Sequence, residues 1–364
     1  MRNLRRRHLA TLAMVVLLLA VVLTAGCGRE ETATSTASPT ASPSVQITKM
    51  AIITPEKAND YGWNQQGYES AKKAADSVGA ELIKQDGAGY GDISPIMTQL
   101  ATQNPDFIIP WASGYDTVAP QMAQQLQIPV TASDPGTEAA NVPGLVNAIE
   151  TNGENGGYLA GVLAGSMTKT GKVAIVVSAE DLNWSKMSGG FVAGARSVNP
   201  SIKILFVQIG QAAYADAAGG KRVTANAISA GADIVFGMGD GSSFGMLQAV
   251  ETATPPSGAD KVWFIDVIGD KTPVDEKGVL LSSVLWDFSQ IFETAIAQIQ
   301  DGTFGQKSYF LNLDNGMGML QTQYIPADVW SKIETAKAGV LDGSIQVPVT
   351  TKSSQVKTLI ASGQ

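Results

Sequence analysis

The chain has 364 residues and carries 33 Asp and Glu against 25 Lys and Arg, a net charge of −8. That acidic balance speaks against nucleic acid, whose phosphates are held by Lys and Arg. A single histidine, His8, and a single cysteine, Cys27, exclude Ser-His-Asp and Cys-His catalysis and zinc sites built from Cys and His, leaving carboxylate-only catalysis, lysine chemistry and hard-metal sites.

The first element is an export signal. Arg2, Arg5, Arg6 and Arg7 precede an apolar stretch over 9–22, which ends in Leu23-Thr24-Ala25-Gly26-Cys27. A basic segment, an apolar segment and small residues at a cleavage point have the order of a secretory signal. The cysteine after Ala-Gly resembles the lipobox of bacterial lipoproteins, with Thr24 where leucine is commonest, and implies a lipid on Cys27. The competing reading is a plain transmembrane anchor, because 9–26 approaches the ~20 residues of a spanning helix. Residues 28–46 are rich in Ser, Thr, Ala and Pro and hold no large apolar residue before Val45. Such a composition buries too little surface to fold and makes a solvated tether. Without the four signal arginines, the mature charge is about −12.

Beyond the tether, short apolar runs alternate with amphipathic stretches. Strands are expected over 50–54, 81–85, 106–111, 128–132, 173–178, 203–208, 233–238, 262–267, 279–285 and 308–313. Helices between them include 63–78, 155–167, 185–198, 217–229 and 288–300. This alternation predicts an α/β fold with parallel sheets covered on both faces. The run Asn104-Pro105-Asp106-Phe107-Ile108-Ile109 is echoed by Gly231-Ala232-Asp233-Ile234-Val235-Phe236, each followed by a small-residue turn, a helix and another strand. Two like units predict two lobes, with ligand outside the carboxyl ends of the strands and closure by a hinge.

Three glycine-rich segments invite a phosphate or metal reading. Gly165 to Lys172 (GSMTKTGK) is one residue too long for a phosphate loop and has Val173 where Ser or Thr must hold magnesium, so Gly171-Lys172 reads as a helix stop before a strand. Gly237-Met238-Gly239-Asp240-Gly241 fails the dinucleotide fingerprint. It reads equally as a tight strand-to-helix turn or as backbone amides brought close to a ligand, with Gly239 and Asp240 as candidates. The loop 86–92 lacks the ligand count of a calcium site and reads as a turn with a helix cap at Asp92. No metal and no cofactor are expected.

Aromatic placement is more pointed. Trp63, Trp111, Trp184, Trp263 and Trp286 fall at or near strand ends and helix starts. Trp63 and Trp111 follow apolar strands closely and are expected to enter the cleft, with Ser113 beside the latter. Aromatic faces beside Asp and Asn suit a flat ring with polar edges.

The segment Asp60-Tyr61-Gly62-Trp63-Asn64-Gln65-Gln66-Gly67-Tyr68 resembles the Asp-x-x-(aromatic)-Asn segment of the basic membrane protein family, bacterial ABC-transporter substrate-binding lipoproteins that are purine-nucleoside-receptor-like. Tyr158-Leu159-Ala160-Gly161-Val162-Leu163-Ala164 with Lys169-Thr170-Gly171-Lys172-Val173, then Gly190-Phe191-Val192-Ala193-Gly194-Ala195, Asn199-Pro200 and Gly231 to Phe236, continue the likeness in order, from Lys49 to about Leu320. The resemblance implies a periplasmic-binding-protein type I fold. It puts Trp63 on a base, with Asp60 and Asn64 beside it. A second stacking position falls near Met187, its partner here being Trp184. Gly237 to Gly241 match the family's glycine-rich turn, and Asp266 matches the aspartate that holds ribose hydroxyls. A family lysine is replaced by Trp286 in Ser282-Ser283-Val284-Leu285-Trp286, which trades a cationic donor for a stacking face.

The expected organisation is a signal over 1–26, an anchor and tether over 27–46, a first lobe of 47–148 plus about 284–312, and a second lobe of 149–283 plus about 313–364. The expected function is a non-enzymatic, monomeric solute receptor. It is lipid-anchored to the outer face of the plasma membrane, binds a purine nucleoside or related heterocycle, and serves an ABC permease. A ligand sensor feeding a membrane signalling protein and a carboxylate-only exported enzyme remain as alternatives.

Overall fold

The computed structural model describes residues 45–133 and 141–363. The signal, Cys27 and nearly all of the tether lie outside the described residues. Among those described, no helix is long and apolar enough to cross a membrane.

The first sheet opens with β1 (Lys49–Ile53), followed by α1 (Trp63–Ser77), β2 (Glu81–Gln85), α2 (Ser94–Ala101), β3 (Phe107–Pro110), α3 (Val118–Leu126), β4 (Val130–Ser133) and β5 (Val146–Thr151). The second follows through α4 (Gly153–Met167), β6 (Lys172–Val177), α5 (Leu182–Val198), β7 (Lys203–Gln208), α6 (Ala217–Ser229), β8 (Ile234–Met238), α7 (Ser242–Glu251), β9 (Trp263–Ile268) and β10 (Leu280–Trp286). The chain then returns through α8 (Ser289–Asp301), β11 (Tyr309–Leu311), β12 (Met317–Met319), α9 (Ala327–Leu341) and α10 (Ser353–Ser362).

The sheets run β11-β5-β4-β3-β1-β2 and β12-β10-β9-β8-β6-β7. Every pairing is parallel apart from β12 on β10. The central strands β3 and β8 are buried at every residue, as strands covered on both faces must be, and so they read as unbroken apolar runs. Each sheet carries the same inner order, second-first-third-fourth-fifth, so each has a switch point between its first and third strands. The internal echo in the sequence is this repeated topology.

The chain passes between the sheets after Thr151, after Trp286 and after Leu311. These passages are tied together: the amide of Asn152 donates to the Leu311 carbonyl at 2.9 Å and that of Asp287 to the Gly316 carbonyl at 2.8 Å. The segment expected to enter the first lobe at about 284 therefore stays in the second sheet to Trp286, and β5 belongs wholly to the first sheet.

Helices α4 and α5 pack backbone to backbone. A Cβ on Gly161 would stand 2.2 Å from the Phe191 carbonyl oxygen, and one on Gly194 would stand 2.0 Å from that of Tyr158. The glycines in those two family-like stretches are thus required by close helix approach. α4 stops at its C-cap Thr168, before the Gly171-Lys172 stop expected there, and Gly171, with φ +67, serves the turn that enters β6. Asp92, expected as the cap of α2, lies one residue before its N-cap, Ile93, and accepts from the Ser94 amide at 2.9 Å in the turn that leads into the helix.

Candidate functional site

The carboxyl ends of the strands from both sheets converge on a cavity with about 160 Å³ of space for water-sized centres, lined by Pro55, Trp63, Tyr90, Ala112, Ser113, Gly114, Asp181, Asn183, Trp184, Tyr214, Asp240, Ile268 and Trp286. That is the volume of roughly five waters at about 30 Å³ each, room for a small molecule. Its walls follow from the switch points. Pro55 trails β1 and Ala112 to Gly114 trail β3. Asp181 and Trp184 lie just past β6, Asp240 just past β8.

Trp63 opens α1. Its indole lies flat against that of Trp111, with centroids 4.2 Å apart and planes 9° apart. The pair is locked reciprocally: Trp63 Nε1 donates to the Trp111 carbonyl at 3.0 Å and Trp111 Nε1 to the Trp63 carbonyl at 2.9 Å. Gly67, one turn along α1, makes room for this, since a Cβ there would lie 2.1 Å from Trp111 Nε1. Trp111 is fully buried and meets Phe288 and Phe292 edge-on. It backs Trp63 and does not line the cavity, contrary to its expected entry into the cleft.

Asp60 and Asn64 also lie behind the cavity wall. Asp60 accepts from the amides of Gly62, Asn64 and Gln65 and from Asn64 Nδ2 at 2.7 Å. Asn64 Oδ1 accepts from the Glu56 amide. Their polar atoms are occupied in fixing the turn that delivers Trp63.

In the second sheet, Asp181 caps α5. It accepts from the amides of Asn183 and Trp184 at 2.8 and 3.2 Å and from the Tyr214 hydroxyl at 3.0 Å. Trp184 is oriented by its Nε1, which donates to Ser178 Oγ at 2.9 Å. Trp286, at the end of β10, meets Trp63 edge-on at 6.3 Å. It is buried, and its Nε1 has no partner among the described residues. Tyr90 from the first sheet stacks on Tyr214 from the second at 5.6 Å, and its hydroxyl donates to Glu56 at 2.9 Å.

Three other expected residues stand outside the cavity. Met187 is fully buried beneath α4, where its backbone meets Gly157. Gly239 supports the turn into α7: a Cβ would stand 2.1 Å from Ser242 Oγ, and its carbonyl accepts from the Ser243 hydroxyl. Asp266 is fully buried and ion-paired to Lys271 at 2.5 Å, with Ser243 Oγ donating to it at 3.1 Å. Lys271, also fully buried, donates to the Tyr61 carbonyl across the lobes at 3.0 Å. Thus a cation does stand beside Asp266, supplied from the loop after β9.

The site is acidic. Burial pushes the Asp240 carboxyl well above the ordinary carboxylate range, reinforced by Asp60, Glu56 and Asp181 and opposed by Lys271. Burial also raises Asp181, against the pull of its hydrogen-bond donors, and raises Glu56, against that of Tyr90. Burial lifts Asp266 despite Lys271. No group of three His, Cys, Asp or Glu able to hold a metal ion occurs among the described residues. Ile268 lines the cavity with φ 72, a conformation that costs a β-branched residue about 1–3 kcal/mol and persists only where its surroundings hold it.

Sequence reasoning therefore reached Trp63, Ser113, Trp184, Asp240 and Trp286 in the cavity lining and missed Asp181, Tyr90 and Tyr214. Asp181 carried a usable signal, an Asp directly before a helix and a short loop after an apolar strand. The tyrosines come from loops with no local pattern.

The profile of the PnrA-like ABC transporter substrate-binding proteins matches residues 47–349. The chain belongs to this family. It is 30% identical over 202 residues to the ABC transporter nucleoside-binding protein BmpA of Lactococcus lactis, a match covering 52% of this chain and 57% of that protein. It is 21% identical over 307 residues to basic membrane protein D of Borreliella burgdorferi, covering 82% and 87%. An ABC transporter solute-binding protein from Conexibacter woesei superposes with a TM-score of 0.68 at 20% identity, covering 83% of this chain and 99% of that one. The family and fold of this PnrA-like protein are those of solute-binding proteins, as the sequence resemblance implied, and the fold is the periplasmic-binding-protein type I fold. Such proteins are extracytoplasmic.

Proposed function

We propose that this PnrA-like protein is the receptor of an ABC importer, held at the outer face of the plasma membrane by a lipid on Cys27. Its lobes close on a purine nucleoside or a related flat heterocycle and present it, unchanged, to a permease. The observation that carries this reading is the cavity itself, where Trp63, Trp184, Trp286, Tyr90 and Tyr214 wall a small space between two sheets. Flat walls with few polar groups suit a ring that stacks on its faces and is read at its edges. The carboxylates of Asp181 and Asp240, with no Lys or Arg among the described lining residues, repel phosphorylated ligands.

The test is the identity of small molecules released from the purified, denatured chain, followed by calorimetry with nucleosides, bases and nucleotides. Nucleosides or related heterocycles are expected to bind and nucleotides to fail. Silence across the panel, after any carried ligand has been removed, would sink the ring reading. Cys27→Ala is expected to abolish fatty-acid labelling, and continued labelling would reject the anchor.

A further inference from the structure

We infer that the ligand of this cavity carries a positively charged nitrogen, which pairs with Asp240 inside an aromatic box. The inference rests on the receptor reading above and specifies its ligand class.

Asp240 lines the cavity at 6% exposure, and its Oδ1 is buried with no hydrogen-bond partner among the described residues. A buried, unpartnered carboxylate oxygen is costly, and it is retained where something else completes it. A neutral donor would satisfy the oxygen but not the field around it. Asp60 and Glu56 face Asp240 from the first lobe and Asp181 from the second. Glu56 is bonded to Tyr90, and Asp181 accepts from Tyr214. The one cation that bears on this group is Lys271, which is paired to Asp266 and bonded to the Tyr61 carbonyl. Among the described residues the lining contains no Lys or Arg, and Trp286 there is an uncharged donor. In the empty cavity burial and these neighbours favour the protonated acid, and a cationic ligand takes that proton's place and balances the field.

The remaining walls suit a cation as well. Trp63, Trp184, Trp286, Tyr90 and Tyr214 present π-systems around the space, and tryptophan and tyrosine faces attract organic cations, as in aromatic cages for quaternary ammonium groups. A metal ion does not meet the same need, since no three ligating groups converge among the described residues.

The test uses the whole chain, purified in detergent and freed of carried ligand, with matched pairs of probes: adenosine and its ring-N-methylated cation, and nicotinamide and its N-methyl cation. The cation is expected to bind at least about tenfold tighter than its neutral partner in one pair. Asp240→Asn is expected to remove about 10- to 100-fold of the cation's affinity, the worth of a charge-assisted contact, and little of the neutral partner's. On the unaltered chain, the cation's affinity is expected to fall as pH is lowered, because it binds the ionised carboxylate, while the neutral partner's stays level. That arm decides if Asp240→Asn does not fold. Equal or tighter binding of the neutral partners, or an affinity for the cations that ignores both pH and Asp240→Asn, overturns the charge and leaves the receptor reading standing. Absence of heat from every probe counts against both.

Discussion

Trp63 has two faces with different duties, and its replacement separates them. One face stacks on Trp111 and the other side borders the cavity. Trp63→Ala is expected to weaken ligand binding by about 1–3 kcal/mol, the scale of ring stacking. It is also expected to lower ligand-free stability by about 2–3 kcal/mol, because the half-buried ring is part of a core stack. Calorimetry and thermal melts on the same variant measure both. Asp266 behaves differently from what its family role implies. Asp266→Ala strands the fully buried Lys271, so a loss of about 3–5 kcal/mol in denaturant melts of the empty chain is expected. A melt unchanged within error would show that the pair does not hold the loop. Asp240 sets a pH dependence. Its carboxyl is held above its unfolded value, so between those values the folded chain binds more protons than the unfolded one, and stability falls as pH rises through that window. Glu56, Asp181 and Asp266 act in the same sense. The ligand-free protein is therefore expected to melt higher at about pH 5.5 than at about pH 7.5, each pH unit of elevation being worth about 1.4 kcal/mol, with the slope shallower in Asp240→Asn. A flat profile would exclude a raised carboxyl. At this scale, the residue types of the site were readable but their directions were not. Asp60, Asn64 and Asp266 look like ligand contacts in sequence because polar residues beside strand ends usually face the cleft. Here the turn before α1, the first amides of that helix and a lysine from the loop just after β9 occupy them.

Among the elements, the α4–α5 contact is the most exacting. Gly194→Val would force a side chain into the Tyr158 carbonyl and is expected to cost about 1–3 kcal/mol or more, seen as a lowered denaturation midpoint at unchanged slope. A neutral result would mean the two backbones can part freely. The same contact explains what was legible. The glycines of Tyr158 to Ala164 and Gly190 to Ala195 mark the family in sequence, and their physical reason is helix approach, far from ligand chemistry. Strands β2 and β7 match their expected bounds in full, and the buried parallel strands announce themselves as apolar runs. β5 was missed because its sequence, Val-Asn-Ala-Ile-Glu-Thr, looks polar although all of it is buried. Asn147 Nδ2 donates to the Lys307 carbonyl at 2.7 Å and Glu150 lies 3.8 Å from Lys186. Partners from distant segments make such a strand possible, and periodicity cannot see them.

Across the whole molecule, the two sheets meet through Trp63 on Trp286, Tyr90 on Tyr214 and Lys271 on the Tyr61 carbonyl. A ligand that bridges the cavity reinforces all three junctions at once. At 100 times its dissociation constant it adds about 2.7 kcal/mol to folding, a rise of several degrees in melting temperature that scales with the logarithm of ligand concentration. A melting temperature indifferent to a ligand that calorimetry shows to bind would mean that the unfolded chain binds it too. The threefold passage of the chain between the sheets has a further consequence, for the order of assembly. The strand that borders β5 is β11, and the one that borders β10 is β12; both come from a short stretch after Asp301. Neither half can be finished on its own as the polypeptide emerges. Each leaves β5 or β10 as its edge until the same few late residues arrive and cover it with a strand of 3 residues, a short edge that offers little to other chains. Both sheets are therefore completed together and late, by one segment of the chain.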